Sequence, residues 1–484
     1  VRGASIDAPL MIMRSDGGVM DVREVERRPI LTMLSGPAAG VAGALLYENV
    51  TDGIFMEVGG TSVDCSAIRA GAPQMRPARI GGHRTMLRTI DSRTLGIAGG
   101  SMPRIDEAGI IDVGPRSAHI AGCAYVSFLA PEALEGARVE RFAPTAHDPG
   151  DYVRFVLTGG GVATVTPTCA SNLLGYVPAG AFAAGNAESA RRGFALLAAH
   201  VGGEPEALAR RMLELGAGKV RACLDELIAD YELPRERLVL IGGGGGAASL
   251  VPFVAESAGL EYRIARDAEV ISPIGVALAL VRDVVERTIV DPTPEDIVQL
   301  RREASDRVIA AGASPERIEV SVEIDAQRNR VRATASGATA LVESAGYGVR
   351  DEAAQRAAAA RAMGTDAAAP VRYGVSSALA AYVCERDLRI VDERGVVRLA
   401  LRGATMTSAS AGSVETSLRD AMERATAFGD VGRSLPAVYV VHGGRIADFS
   451  GLASIDQAIA LAREELSGRA IDETITILTV PRTA

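Results

Sequence analysis

Gly53-Ile54-Phe55-Met56-Glu57-Val58-Gly59-Gly60-Thr61-Ser62-Val63-Asp64 is the stretch on which the fold turns. An apolar run of strand composition enters a Gly-Gly turn, and two carboxylates bracket that turn. Glycines at a strand end let backbone N–H groups approach a phosphate. The hydroxyls of Thr61 and Ser62 add donors, and Glu57 and Asp64 suit Mg²⁺. Taken alone, the same residues also read as a tight turn with a solvated glutamate.

A second glycine turn lies far along the chain. Leu238-Val239-Leu240-Ile241 predicts a buried strand that breaks into Gly242-Gly243-Gly244-Gly245-Gly246 and then a helix over about 248–258. Such a run carries high backbone entropy and no side chains to pack. It reads as a place where a phosphate or flat ligand lies on the main chain beside a helix N-terminus, or as a flexible connector. No Lys follows at P-loop spacing, which excludes that motif. A third stretch, Thr94-Leu95-Gly96-Ile97-Ala98-Gly99-Gly100-Ser101, follows Asp91 and reads equally as a further backbone cradle or as a hairpin.

Around these turns the pattern predicts helices over 35–47, 187–201 and 205–229, and a strand over 152–157. A helix over 276–286 is expected after Ile271-Ser272-Pro273-Ile274-Gly275, and Asp291-Pro292-Thr293-Pro294 reads as a linker with a helix start. Beyond it, strands alternate with helices near 352–363, 415–427 and 454–466. The expected organisation is therefore an α/β part over 1–290 and an α+β accessory region over 291–484.

Composition bounds the function. Of 484 residues, 48% are hydrophobic and 23% charged, enough for a sizeable core. Aromatics are 4% with no Trp, and the formal charge is −9, which argues against nucleic acid as a partner. No apolar run approaches the ~20 residues of a membrane helix. Five scattered cysteines fit free thiols in a reducing cytoplasm and show no zinc spacing. Cys123 and Cys169 read more simply as buried thiols than as nucleophiles, and His83 and His119 more simply as structural residues than as acid/base groups. Asp91 is retained as a candidate for metal or substrate.

The ordered set Ser15-Asp16-Gly17-Gly18, Leu34-Ser35-Gly36-Pro37-Ala38-Ala39-Gly40, Glu57 to Asp64, Gly96 to Ser101, Val113-Gly114-Pro115-Arg116-Ser117-Ala118, Thr164-Val165-Thr166, the run 242–246 and Ser272-Pro273-Ile274-Gly275 resembles the hydantoinase/oxoprolinase family. That resemblance covers roughly 8–290. It implies an α/β, actin-like (ribonuclease H-like) two-lobed ATPase core, with 35–47 and 272–286 as connecting helices and ATP between the lobes. It implies ATP and Mg²⁺ as cofactors, with Gly59, Gly60, Thr61, Ser62, Gly242, Gly243, Gly244 and Gly245 at the nucleotide. Glu57 and Asp64 would hold the metal, and Glu57, Asp64 and Asp91 would serve catalysis.

Three departures stand out. The family has Asp where Glu57 stands, and Pro167 follows Thr166 where the family has Asp. The family's first phosphate loop is missing, so the first lobe is expected to be N-terminally incomplete. The implied activity is ATP-dependent opening of a cyclic amide such as a hydantoin, oxoproline or other lactam, with a second hydantoinase-type subunit as partner and an oligomeric assembly. A carboxylase subunit of the acetone carboxylase type acting on a ketone, a non-catalytic actin-like reactivation or assembly factor, and a scaffold without nucleotide chemistry are the other readings.

Overall fold

The computed structural model describes residues 10–482 apart from 49, 51, 70, 81–82, 326, 340–349, 377 and 430–431. Packing divides the chain into two compact units, Gly36–Gly275 and the combination of Val1–Ser35 with Val276–Ala484.

Gly36–Gly275 is built on a mixed sheet whose central strand is Gly53–Val58. Val63–Arg69 folds back antiparallel on it, and Ser92–Leu95 lies antiparallel on Val63–Arg69. On the other side Val239–Gly243 runs parallel to Gly53–Val58, with Glu261–Ile264 parallel beyond it. Ile54, Phe55, Met56 and Val58 are all buried, as a strand covered on both faces requires. The helices Pro205–Asp230 and Ala247–Ala258 pack against this sheet and each other, through Leu213, Val220, Leu224, Leu250 and Val254 among others. A second sheet holds Ser101–Asp106, Gly109–Ser117, Tyr152–Val156, Val162–Thr164 and Ala124–Tyr125, with Arg138–Phe142 on its edge.

The helix Ser35–Leu46 owes its packing to small residues. A Cβ on Gly43 would stand 2.5 Å from the carbonyl oxygen of Ile271, and one on Gly275 would run into that of Ala39. The helix Ile271–Leu278 thus crosses Ser35–Leu46 at backbone distance, which fixes where Ser272 points.

In the other unit, Met11–Met13 and Val19–Asp21 form a hairpin that joins Val281–Thr288, Arg330–Thr339 and Ala313–Asp325 in one sheet. The Ser15-Asp16-Gly17-Gly18 turn is held by charge. Arg14 donates to both Asp16 oxygens, at 3.1 and 2.9 Å, and Gly18 N–H donates to one of them at 3.3 Å. Burial works to raise the Asp16 carboxyl, yet Arg282 and Arg14 together hold it below its ordinary value. The helix Pro294–Ala310 begins at a Thr293 cap and covers this sheet. Two four-stranded antiparallel sheets follow, Val371–Gly374 to Val397–Arg402 and Thr405–Ser410 with Ala437–His442, Arg445–Asp448 and Thr474–Val480. They share a core that includes Leu379, Ile390, Val441 and Leu478.

One expectation is corrected. Residues 276–286 do not continue a helix: the helix ends at Leu278, and Val281–Thr288 is a strand. Its β-branched Val281, Val284 and Val285 pair residue by residue with Arg330–Thr339, so a sheet partner some fifty positions onward decides the conformation. Val281–Thr288 and Arg330–Thr339 share one sheet, and Val276–Ala484 accordingly packs as one unit with Val1–Ser35. No described helix is long and apolar enough to cross a membrane.

Gly275→Ala should lower the unfolding temperature clearly, at a cost of ~1–3 kcal/mol or more, because main chain must move to admit the methyl. Gly36→Ala, where a Cβ meets nothing within 4 Å, should leave it unchanged. Equal melting of the two variants in differential scanning calorimetry would contradict the close crossing.

Candidate functional site

The opening stretch is a β-hairpin. Gly53–Val58 and Val63–Arg69 are joined by residues 59–62, and Gly59 N–H donates to Ser62 C=O at 3.1 Å to close the turn. The register sets Glu57 directly opposite Asp64. Like charges directly opposite across a sheet repel, and among the described residues no ion pair takes up either carboxylate. Burial raises the Glu57 carboxyl, the Asp64 charge adds to this, and a hydrogen bond from the Ser272 hydroxyl only partly offsets it. Burial likewise raises Asp64 against the opposing hydrogen bond from Thr94. Gly40, on the helix Ser35–Leu46, has no Cβ because a Glu57 carboxylate oxygen occupies that space.

The three glycine turns meet at the end of this hairpin. Gly246 N–H donates to Val58 C=O at 2.9 Å, and a Cβ on Gly246 would stand 2.8 Å from the Gly59 carbonyl oxygen. Gly244, at φ +83°, lies against the Val58 backbone. Gly99 N–H donates to Gly59 C=O at 3.2 Å, and a Cβ on Gly100 would stand 2.5 Å from the Gly60 carbonyl oxygen. Thr168 donates both its N–H and its hydroxyl to Gly99 C=O, at 3.0 and 2.8 Å. Thr61 and Ser117 share a hydroxyl–hydroxyl hydrogen bond of 2.9 Å.

The predicted residues sort accordingly. Glu57, Asp64, Gly59, Gly60, Thr61 and Ser62 lie together on the hairpin. Gly242 and Gly243 are buried strand residues, packed on Val251 and Ile264 and on Phe55 and Ile271 respectively. Gly244, Gly245 and Gly246 form the half-exposed turn that leads into Ala247–Ala258. Residues 96–100 do not form a hairpin, since Ser92–Leu95 and Ser101–Asp106 belong to different sheets. Asp91 is buried and ion-paired to Arg76 at 2.8 Å and Arg93 at 3.4 Å, and it accepts from the Tyr231 hydroxyl at 2.7 Å. Oδ2 accepts from Tyr231 and Arg93, whereas Oδ1 lies in the Arg76 ion pair without a hydrogen bond among the described residues. Pro167 opens the helix Pro167–Leu173, capped by the Thr166 side chain. Cys123 and Cys169 are buried, and burial pushes the Cys123 thiol up to about 11, far from a reactive thiolate.

Ser272, Gly40, Thr94, Ser117 and Thr168 were not expected at the site. Only tertiary packing brings them there, although all but Thr168 lie inside stretches already quoted. Among the described residues no group of three or more His, Cys, Asp or Glu could hold a metal. Mg²⁺ asks less, because it is commonly held by one or two carboxylates, waters and substrate phosphates. Two desolvated carboxyls without a counter-charge fit that requirement.

Fold and site thus define a mixed α/β protein in which three glycine turns converge beside a paired set of acids. Its sequence agrees with a known class: the hydantoinase/oxoprolinase family profile matches residues 1–285, and the chain belongs to that family. Over 114 residues it is 29% identical to the caprolactamase subunit alpha of Pseudomonas jessenii, which is 23% of this chain and 16% of that protein. Over 134 residues it is 24% identical to an uncharacterised protein of Methanocaldococcus jannaschii, 20% of that protein. The fold is similar to acetone carboxylase in a nucleotide-free structure titled for ATP-dependent acetone carboxylation. The TM-score is 0.50 and the identity 14%, over 84% of this chain and 61% of that one. The ATP-dependent caprolactamase of P. jessenii aligns at a TM-score of 0.46 and 20% identity, over 68% of this chain and 53% of that one. The chain therefore spans a fifth or less of the curated relatives it matches, and less than two thirds of these solved chains.

Because Glu57 is held above its usual range, its neutral form is the one the fold favours. The associated stability is present below the carboxyl's unfolded value and lost as pH rises through the raised folded value. Glu57→Gln should therefore raise the melting temperature of the nucleotide-free protein at neutral pH, with the gain shrinking in acid. A lower melting temperature for the variant at neutral pH would show the carboxylate to be a net stabiliser.

Proposed function

We propose that this chain is an ATP- and Mg²⁺-dependent hydrolase subunit that activates the carbonyl oxygen of a cyclic amide for ring opening. The observation that carries the reading is the Glu57–Asp64 pair, two half-buried acids set opposite each other across a Gly-Gly-Thr turn with no ion-pair partner among the described residues. Local rules of sheet pairing are broken there, as is usual where function imposes the arrangement. When bound, Mg·ATP would supply the phosphoryl group that makes the amide carbon electrophilic, so that one water adds there, the ring C–N bond breaks with nitrogen leaving as the amine, and a second water releases phosphate.

The chain's own residues would do the rest. The backbone at Gly59 and Gly60 and the Thr61 and Ser62 hydroxyls would hold phosphate oxygens, and Gly244 and Gly245 would face the nucleotide. Glu57 and Asp64 would hold Mg²⁺ or orient water, with Ser272 and Thr94 fixing their rotamers. Charge stabilisation by pre-placed groups would dominate, with no covalent nucleophile.

The sheet supports an actin-like ATPase core. Setting aside the two-residue strand Ala72–Pro73, which pairs with the end of Val63–Arg69, and numbering the other five in chain order from Gly53–Val58, the spatial order is 3-2-1-4-5 with only the second antiparallel to the rest, as in a ribonuclease H-like lobe. A second subunit and an oligomeric, cytoplasmic assembly belong to the same reading, prompted by a relative named as a subunit alpha. A carboxylase subunit is the second reading, favoured by the fold likeness to acetone carboxylase.

ATP hydrolysis should be stimulated by a hydantoin, oxoproline or caprolactam, and Glu57→Gln should lower its kcat by about 100-fold or more. Stimulation only by a ketone with bicarbonate would favour the carboxylase. Hydrolysis that responds to a protein partner alone would favour an assembly factor.

A further inference from the structure

The Gly59-Gly60-Thr61 turn has a neighbour that none of the motifs contains. Tyr125 lies on the short strand Ala124–Tyr125, which pairs in parallel with Val162–Thr164. Its ring stacks on Phe128 with centroids 5.5 Å apart and planes 18° from parallel. The hydroxyl end reaches the glycine turns: a Cβ on Gly60 would stand 3.2 Å from the phenolic oxygen, and one on Gly100 would collide with it. Glycine at position 100 is therefore what admits the hydroxyl.

Phe128 is 53% exposed, Gly60 is exposed and Tyr125 half-buried, so the phenol stands at the open side of the turn. Among the described residues no hydrogen bond takes up the Tyr125 hydroxyl. Burial pushes its pKa up to about 12, with Cys169 adding to the effect, so at neutral pH it is a protonated donor. Packing alone would be served by a phenylalanine. The oxygen adds steric demands at Gly60 and Gly100 and gains no hydrogen-bond partner among the described residues.

We propose that Tyr125 is a ligand-binding residue of the phosphate turn, its O–H donating a hydrogen bond to a phosphate oxygen held at Gly59-Gly60-Thr61. This rests on the reading of that turn as a nucleotide site. The ring stack and the packing against Gly100 hold the donor in place before ligand arrives, which is the arrangement that yields most from one hydrogen bond to an anion.

The test is calorimetric titration of the full chain and its Tyr125→Phe variant with Mg²⁺ and a non-hydrolysable ATP analogue. The variant should keep its unfolding temperature and bind the analogue about 10-fold or more weakly, the size of a lost hydrogen bond to a charged group. Equal affinity would overturn the role of Tyr125 while leaving the nucleotide site standing. A wild-type chain that binds no analogue would overturn the nucleotide reading itself. Should the phenylalanine variant misfold, 3-fluorotyrosine at position 125 gives a second readout. Its fluorine resonance should move when Mg²⁺ and the analogue are added together, and an unmoved resonance with nucleotide bound would contradict the proposal.

Discussion

Everything at the site depends on how closely two stretches of backbone approach the end of one strand. Val58 and Gly59 receive Gly246 and Gly99 as hydrogen-bond donors, and Gly60 receives Gly100 in van der Waals contact. Side chains at these positions would separate the turns by a methyl or more. The glycines therefore act first on the protein itself. They close main chain onto main chain, and the surface left over is rich in backbone polar groups and hydroxyls. Such a surface is pre-formed and needs little reorganisation to meet an anion.

The acid pair is the electrostatic counterpart of that packing. Glu57 and Asp64 are forced together by strand register, and their environment disfavours ionisation. A protein that wanted only stability would place a cation or an apolar pair there. The arrangement costs folding energy in the ligand-free state, and a divalent cation would recover it. Glu57 is also tied into the scaffold, since Ser272 reaches it from Ile271–Leu278 and Gly40 yields space for it on Ser35–Leu46. The crossing of those two helices thereby sets the position of one carboxylate.

Much of this was legible in the sequence, for reasons that differ by element. Helices such as Ala187–Val201 and Pro205–Asp230 were readable because periodicity and caps are local signals. The strand and turn leading to Gly59-Gly60 were readable because strand composition and turn residues adjoin, whereas the antiparallel return of Val63–Arg69 was not predicted. Val281–Thr288 was not, because its conformation depends on Arg330–Thr339 and on the N-terminal hairpin. The run 242–246 announced a strand, a turn and a helix. It could not announce that Gly242 and Gly243 serve packing inside the strand. Asp91 read as a candidate for metal or substrate because Arg76, Arg93 and Tyr231 are near it only in three dimensions. Tyr125 carried no local signal, since what singles it out is the pair of glycines it touches.

The most direct test of the account is a crystal structure of the chain with Mg²⁺ and a non-hydrolysable ATP analogue. The account predicts the phosphates on the 59–62 turn, with the metal beside Glu57 and Asp64. Nucleotide bound elsewhere, with Glu57 and Asp64 facing no cation, would contradict it.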